Sequence, residues 1–261
     1  MKQAAKVGFC AGNKMGLEVI SFAVKQKYPI ACVATCEGDN SGYEEKIAEV
    51  ATSAGIKLFR KITTQNKEFL SYLKEHAIDL MVLAWWPSIV KAEAIQAVPK
   101  GWLNMHPSLL PYNRGKYPYY WSIVERTPFG ATLHLINEGV DTGPVVFQKE
   151  IPVDFSDTGE TLYEKGYRLL YELFTEHYDE IMTLRFSATP QNDTGATFHL
   201  AKELEPSSHI DLERSYTARD LIARIRGRTF MKGDSSYVIE QGKKYLLKII
   251  IEEVKTKKEH E

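Results

Sequence analysis

Lys6-Val7-Gly8-Phe9-Cys10-Ala11-Gly12-Asn13-Lys14-Met15-Gly16-Leu17-Glu18-Val19-Ile20-Ser21-Phe22-Ala23-Val24-Lys25-Gln26, with Ile30-Ala31-Cys32-Val33-Ala34-Thr35 close behind, is the stretch that decides the fold. Lys6 to Ala11 is a near-continuous apolar run ended by a glycine, the pattern of a strand buried on both faces. Met15 to Gln26 carries apolar residues at helical spacing, and Ile30 to Thr35 is a second β-rich apolar run. The alternation repeats downstream, with helical patterns over Tyr43 to Ala54 and Asn66 to Glu75 and strands over Lys57 to Phe59 and Asp79 to Ala84. Strand and helix in strict alternation predict an α/β fold with a parallel sheet, helices on both faces and right-handed crossovers. Thr161 to Thr183 has the length and spacing of a long helix that closes a first domain over residues 1–186, and the polar stretch Ser187 to Gly195 reads as a linker.

The pattern changes in the last part of the chain, residues 196–261. A helix runs through Arg226 after capping residues near Ser215 to Ala218, and Tyr237 to Glu240 and Lys244 to Ile250, split by Gln241-Gly242-Lys243, read as a β-hairpin. The expectation is a small α+β appendage. With 261 residues, 44% apolar and 26% charged, the composition is that of a globular protein with a substantial core. A formal charge of −1 without a sustained Lys/Arg stripe argues against a nucleic-acid partner, although Arg219, Arg224, Arg226 and Arg228 form a local basic group. Met1 to Lys6 runs straight into the first strand without a signal-like segment, and no long uninterrupted apolar run occurs, so a cytoplasmic protein with no membrane partner is expected. Cys10, Cys32 and Cys36 read as buried free thiols, and the scattered histidines show no metal-ligand spacing. Gly8, Gly12 and Gly16 miss the dinucleotide pattern, and only Glu37 or Asp39 would serve the ribose, which disfavours an NAD-dependent oxidoreductase.

Chemistry concentrates in Asn104-Met105-His106-Pro107-Ser108-Leu109-Leu110-Pro111 and in Gly139-Val140-Asp141-Thr142-Gly143. The apolar lead-in Gly101-Trp102-Leu103 brings Asn104 and His106 to a strand end, where side chains two apart share a face. Asp141 follows the strand-like run Ala131 to Ile136 in a Gly-flanked loop, and loops at strand ends are where open α/β sheets bind ligands. An amide, an imidazole and a carboxylate so placed suit proton handling. Taken one at a time they also read as loop residues satisfying backbone groups, and Asp141-Thr142-Gly143 as a turn. His134 reads equally as a supporting partner of the site or as a core histidine.

Together these residues resemble the formyltransferases that draw a one-carbon unit from N10-formyltetrahydrofolate. The resemblance rests on Asn104-x-His106, the continuation through Pro111, Arg114-Gly115, Pro118, Trp121 and Gly139 to Pro144, and covers about residues 5–185, with a looser stretch through Ala218 to Phe230. It implies a Rossmann-like formyltransferase domain, an enzyme, and catalytic roles for Asn104, His106 and Asp141. Formyl transfer to an amine needs an oxyanion donor, which the Asn104 amide suits, and a proton carrier, for which imidazole, with an ordinary pKa of about 6.5, is apt. Asp141 would fix the imidazole tautomer.

The aromatic, Pro-broken run Trp85-Trp86-Pro87-Ser88-Ile89 ends the fourth parallel strand and offers flat apolar surface for a pterin. The resemblance gives this loop to the folate co-substrate, with Asn137, Gly139 and Val140 forming the other wall; a core or lid tryptophan pair is the competing reading. For the acceptor, Arg114, Lys116, Tyr117 and Tyr119 mix cations with aromatics in a loop spanning Asn113 to Trp121, a composition that suits a phosphate and a base or sugar face and equally a solvated loop. Arg226, Arg228 and Phe230 resemble the corresponding stretch of nucleotide-sugar N-formyltransferases. Lys14 lies in the first loop, where the phosphoribosylglycinamide enzyme would have small residues, and neither the larger C-terminal barrel nor the basic face of the methionyl-tRNA enzyme is evident in this sequence. The expected acceptor is therefore a dTDP-linked 3-amino or 4-amino dideoxyhexose for surface polysaccharide, with those two acceptors as alternatives and a non-catalytic folate-binding protein as a further one. An apolar hairpin edge over Tyr245 to Ile251 makes a homodimer the expected assembly.

Overall fold

A computed structural model describes residues 5–38 and 42–254. Residues 1–4 and 255–261, which belong to the expected first and last domains, and Asp39, weighed for a ribose, lie outside the described residues. The chain divides into two compact units, one of residues 1–106, 131–149 and 167–194, the other of residues 107–130, 150–166 and 195–261.

The elements are, in chain order, β1 Val7–Ala11, α1 Asn13–Ala23, β2 Ile30–Cys36, α2 Glu44–Ser53, β3 Leu58–Ile62, α3 Lys67–Glu75, β4 Leu80–Ala84, α4 Ala92–Gln96, β5 Trp102–His106, β6 Arg114–Gly115 and α5 Pro118–Glu125. There follow β7 Phe129–Leu135, β8 Val145–Ile151, α6 Gly159–Glu176, α7 Tyr178–Met182, β9 Phe198–His199, α8 Leu204–Ser208, α9 Ala218–Gly227, β10 Ser236–Glu240 and β11 Lys243–Leu247. Among the described residues a seven-stranded sheet has the order β3-β2-β1-β4-β5-β7-β8. Its pairs from β3 to β5 are parallel, as the βαβ rhythm predicts. Within this mostly parallel sheet β7 runs antiparallel to β5. The segment between them, residues 107–130, belongs to the second compact unit. β8 was not expected, because an edge strand with the consecutive polar residues Gln148, Lys149 and Glu150 carries little apolar signal.

In the first unit the period-two alternation of the strands feeds two cores. Cys10, Cys32, Ala34, Met81 and Leu83 point to the face covered by Phe69, Leu70 and Leu73 of α3 and Ala94 of α4. Phe9 points the other way and meets Phe174 edge-on at 6.3 Å, with Phe22 and Tyr178 extending the aromatic layer. A Cβ on Gly8 would come within 2.6 Å of the Met81 sulfur, so the glycine in β1 is required by packing. All three cysteines are buried and none is in a disulfide, and burial pushes the Cys32 thiol up to about 12. Burial raises the Cys10 thiol as well, so neither of these two is a thiolate-stabilised nucleophile. The helical run from Thr161 onward is two helices, α6 and α7, meeting at His177.

In the second unit Ile123, Phe129, Leu162 and Ala223 form one core cluster and Tyr120, Trp121 and Leu204 another. Thr217 caps α9, its hydroxyl accepting from the Asp220 N–H at 3.1 Å. β10 and β11 pair antiparallel, from Ser236 opposite Leu247 to Glu240 opposite Lys243. Among the described residues no helix is long and apolar enough to cross a membrane.

Candidate active site

The first unit brings Asn104, His106 and Asp141 together. In β5, Trp102 is fully buried and its indole N–H donates to the Ala94 carbonyl at 2.8 Å, which anchors the strand. Asn104 lies opposite His134 and His106 opposite Thr132 across the β5–β7 ladder, so all four side chains share one sheet face. The Asn104 amide donates to His134 Nε2 at 3.1 Å, and His134 Nδ1 lies 3.0 Å from the Leu135 carbonyl oxygen. Those two contacts assign His134 the tautomer protonated at Nδ1 and leave the second amide N–H of Asn104 for another acceptor.

Asp141 sits between the two imidazoles. One carboxylate oxygen is 3.6 Å from His106 Nδ1 and the other 3.6 Å from His134 Nε2. Both distances are slightly longer than a hydrogen bond, and because His134 Nε2 already accepts from Asn104 its approach to the carboxylate is a contact rather than an ion pair. The imidazole planes are nearly perpendicular, with ring centres 6.2 Å apart. His106 is 6% exposed and His134 1%, so the carboxylate acts where solvent screens weakly.

Local sequence explains how the Asp141 loop is held. The Asn137 side-chain oxygen accepts from the Gly139 N–H at 3.1 Å and the Thr142 hydroxyl at 2.7 Å, an Asx-type turn. Asp141 itself has a φ of +53°, a left-handed conformation that Asp tolerates better than most residues. The Gln191 amide donates to the carbonyls of Asp141 at 2.8 Å and Gly143 at 2.7 Å, fixing the loop from a segment expected to be only a linker. A Cβ on Gly143 would stand 1.7 Å from the Leu135 carbonyl oxygen, so only glycine fits there. His134 and Gln191 are the residues sequence reasoning left out. Only His134, polar in an otherwise apolar strand, gave a signal.

The expected folate residues also lie in this unit. Trp85 leaves β4 with a φ of +60°, a costly conformation for a bulky residue and a mark of functional geometry. Its ring lies 5.8 Å from that of Tyr167. Trp86 packs on the sheet core, yet its indole N–H is buried without a hydrogen-bond partner, as is the Ser88 hydroxyl. Ile89 is 72% exposed and Val140 44%, while Pro87 and Gly139 are also exposed. Orphaned buried donors next to exposed apolar side chains fit a planar heterocycle that brings its own acceptors. Asn137 is committed to its turn. Lys14 forms an i,i+4 ion pair with Glu18 at 3.5 Å and lies 5.5 Å from the Tyr167 ring centre.

The remaining acceptor candidates are in the second unit, and the loop expected over Asn113 to Trp121 is corrected there. Pro118 starts helix α5, as proline at a first helical position can, and Tyr117 precedes it with a φ of +61°. Tyr119 packs against Tyr163 and Phe230, each at 5.6 Å, and near Tyr117 at 6.3 Å. Burial raises the Tyr119 hydroxyl well above its ordinary range. Arg114 is buried beside Gly115, and the Lys116 N–H donates to the His199 carbonyl at 3.0 Å. Arg226 and Arg228 are buried as well. Arg226 Nη1 donates to the carbonyls of Asp154 and Asp157, and Arg228 Nη1 pairs with Asp234 at 3.0 Å.

Comparison with known proteins gives this arrangement a lineage. The formyl transferase family model matches residues 3–177, and the N-formyltransferase dimerization C-terminal domain matches residues 203–253. A methionyl-tRNA formyltransferase of Thermodesulfovibrio yellowstonii is 30% identical over 183 residues, 70% of this chain and 58% of that protein. A dTDP-4-amino-4,6-dideoxyglucose formyltransferase of Mycobacterium bovis is 28% identical over 58% of this chain and 64% of its own length. The matched region thus spans about 58% to 64% of these relatives. The crystal structure of a 4-N formyltransferase from Francisella tularensis superposes with a TM-score of 0.81 at 25% identity, covering 96% of this chain and 99% of that one. With the family model covering well over half of the sequence, the chain belongs to the formyl transferase family.

Proposed function

We propose that the protein is an N-formyltransferase that moves a formyl group from N10-formyltetrahydrofolate to the amine of a dTDP-linked 3-amino or 4-amino dideoxyhexose, for surface polysaccharide. The observation that carries the reading is the Asp141 carboxylate held between the imidazoles of His106 and His134, with Asn104 on the same sheet face. When bound, N10-formyltetrahydrofolate supplies the formyl carbon, whose bond to N10 breaks as a bond to the acceptor nitrogen forms. Asn104 directs its second amide N–H to the formyl oxygen as negative charge builds there. His106 takes the proton lost by the acceptor amine, and the same proton balances the charge left on the departing nitrogen. Asp141 holds the His106 ring and favours its protonated form.

Trp85, Trp86, Pro87, Ile89, Gly139 and Val140 are proposed to hold the folate, a reading supported by the unpartnered Trp86 and Ser88 donors. Asn137 shapes the Asp141 loop that lines the same place. Lys14, Arg114, Lys116, Tyr117, Tyr119, Arg226, Arg228 and Phe230 are proposed for the acceptor. The aromatic group around Tyr119 and Phe230 supports a role in receiving the base or sugar. The division into a catalytic domain over 1–186 and a C-terminal domain over 196–261 belongs to the same proposal, supported by family matches on either side of the linker. So does a homodimer, supported by the dimerization domain and by exposed Tyr245 and Leu246 on β11.

Methionyl-tRNA is the second reading, favoured by the 30% identity to the Thermodesulfovibrio yellowstonii protein. Incubation with N10-formyltetrahydrofolate and a panel of dTDP-amino sugars, charged initiator tRNA and phosphoribosylglycinamide, followed by mass, separates the two. Formylation of one sugar alone is expected, and formylation of the tRNA alone would overturn the acceptor assignment.

A further inference from the structure

A cavity of about 270 Å³ lies within the second unit, between α5, α9 and the chain that follows β8. Its walls are apolar at Ile123, Val153 and Ala223, yet Arg126, Arg219 and Arg226 also line it. Of these three guanidinium groups Arg226 is the buried one, and a buried charge calls for a partner. Arg126 is ion-paired with Asp220, which leaves an excess of positive charge at the cavity.

Arg226 is the best-built of the three. It is 8% exposed, and Nη1 alone holds the Asp154 carbonyl at 2.9 Å and the Asp157 carbonyl at 2.6 Å, so the guanidinium plane is fixed by backbone. Its Nε–H is buried with no acceptor. The Nε and Nη2 hydrogens of an arginine form the fork that donates side-on to phosphate or carboxylate, and here the two backbone hydrogen bonds use only Nη1. Burial lowers the Arg226 guanidinium from its ordinary range, Asp157 opposes that shift, and the charge of Arg126 adds to it. An anion at the cavity would offset both unfavourable effects. The Phe155 ring lies 5.6 Å from the guanidinium carbon and is 53% exposed, a cation–π neighbour at the mouth of the cavity. Ser122 and Thr127 each accept one hydrogen from the Asn113 amide at 2.8 Å, which turns their own hydroxyl hydrogens elsewhere.

We propose that this cavity is a binding site for a phosphate ester, with the phosphate on the free edge of Arg226, Arg219 closing over it, and the apolar part of the ligand on Ile123, Val153 and Ala223. The inference rests on the acceptor reading in so far as that reading already assigns Arg226, and it is tested by binding alone, so that its failure is distinguishable from a failure of formyl transfer. The phosphate has two possible sources, the diphosphate of a nucleotide-linked molecule or a separate phosphorylated metabolite. Calorimetric titration of the full chain with inorganic pyrophosphate and with thymidine diphosphate distinguishes them. Pyrophosphate is expected to bind, and Arg219→Gln, at an exposed position that folding does not need, is expected to weaken it about tenfold. Competition between the two probes, both weakened in Arg219→Gln, identifies the nucleotide diphosphate. Thymidine diphosphate binding that is indifferent to Arg219→Gln identifies the separate metabolite. Absence of pyrophosphate binding, or equal affinity in wild type, Arg219→Gln and Arg126→Gln, overturns the proposal.

Discussion

Gly143→Ala isolates the loop that carries Asp141. An added Cβ would stand 1.7 Å from the Leu135 carbonyl oxygen, where ordinary contact begins at 3.4 Å, so the backbones must part by about 1.7 Å. Leu135 is poorly placed to yield. Its N–H donates to the Pro144 carbonyl at 2.9 Å, and its carbonyl faces His134 Nδ1. The loop therefore moves, and Asp141, two residues away, leaves its position 3.6 Å from both imidazoles. A misplacement on the order of 1 Å in a catalytic constellation costs about 10²-fold, or about 2.7 kcal/mol of barrier. Relief of the clash costs about 1 to 3 kcal/mol of stability, which the fold survives. The assay pairs kcat for formyl transfer with a thermal melt and with quenching of Trp85 and Trp86 by reduced folate. A folded variant that binds folate but turns over about 10²-fold more slowly is expected. A kcat equal to wild type in the folded variant would refute the claim that this loop positions Asp141 for catalysis.

His106→Asn and Asp141→Asn should each lower kcat by about 10²-fold to 10⁴-fold while folate quenching stays near that of wild type; loss of folding in both would return these residues to a structural role. Glu44 is nearly buried, accepting from the Thr35 hydroxyl at 2.7 Å and from Arg60 Nη2 at 2.7 Å. Arg60 holds its carboxyl below the ordinary range, so its contribution is complete above the unfolded carboxylate pKa of about 4.3 and is lost as pH falls through the lower folded value. Glu44→Gln should therefore cost about 2 kcal/mol at neutral pH and less in acid, read from urea midpoints across that range. Tyr245→Asp combined with Leu246→Asp, both on the exposed β11, should convert a dimer to a monomer in light scattering. An unchanged mass would move the interface elsewhere.

The β1-α1-β2 rhythm was legible because strands buried on both faces must be continuously apolar and the helices between them amphipathic. Periodicity carries no strand direction, so the antiparallel entry of β7 beside β5 was hidden, and β8 was hidden by Lys149 and Glu150 on an edge. The helix α5 was masked by its own start, since Pro118 after Tyr117 reads as loop until the first turn is seen to accept it. Asn104, His106 and Asp141 were visible through their motif. The pairing of Asn104 with His134 depends on a register between strands 30 residues apart, and the brace from Gln191 to the Asp141 loop on a contact 50 residues apart. Burial was hidden in the same way: Arg226 and Arg228 read from the sequence as part of a local basic group and as acceptor residues, and both also make hydrogen bonds within the second unit.

The most direct measurement is single-turnover formyl transfer from N10-formyltetrahydrofolate to a dTDP-4-amino sugar, followed by mass for wild type and His106→Asn in parallel. The account predicts a formylated sugar with wild type and at most about one hundredth of that rate with the variant. Equal rates for the two proteins, or no transfer to any amine by a wild-type protein that binds folate, would contradict it.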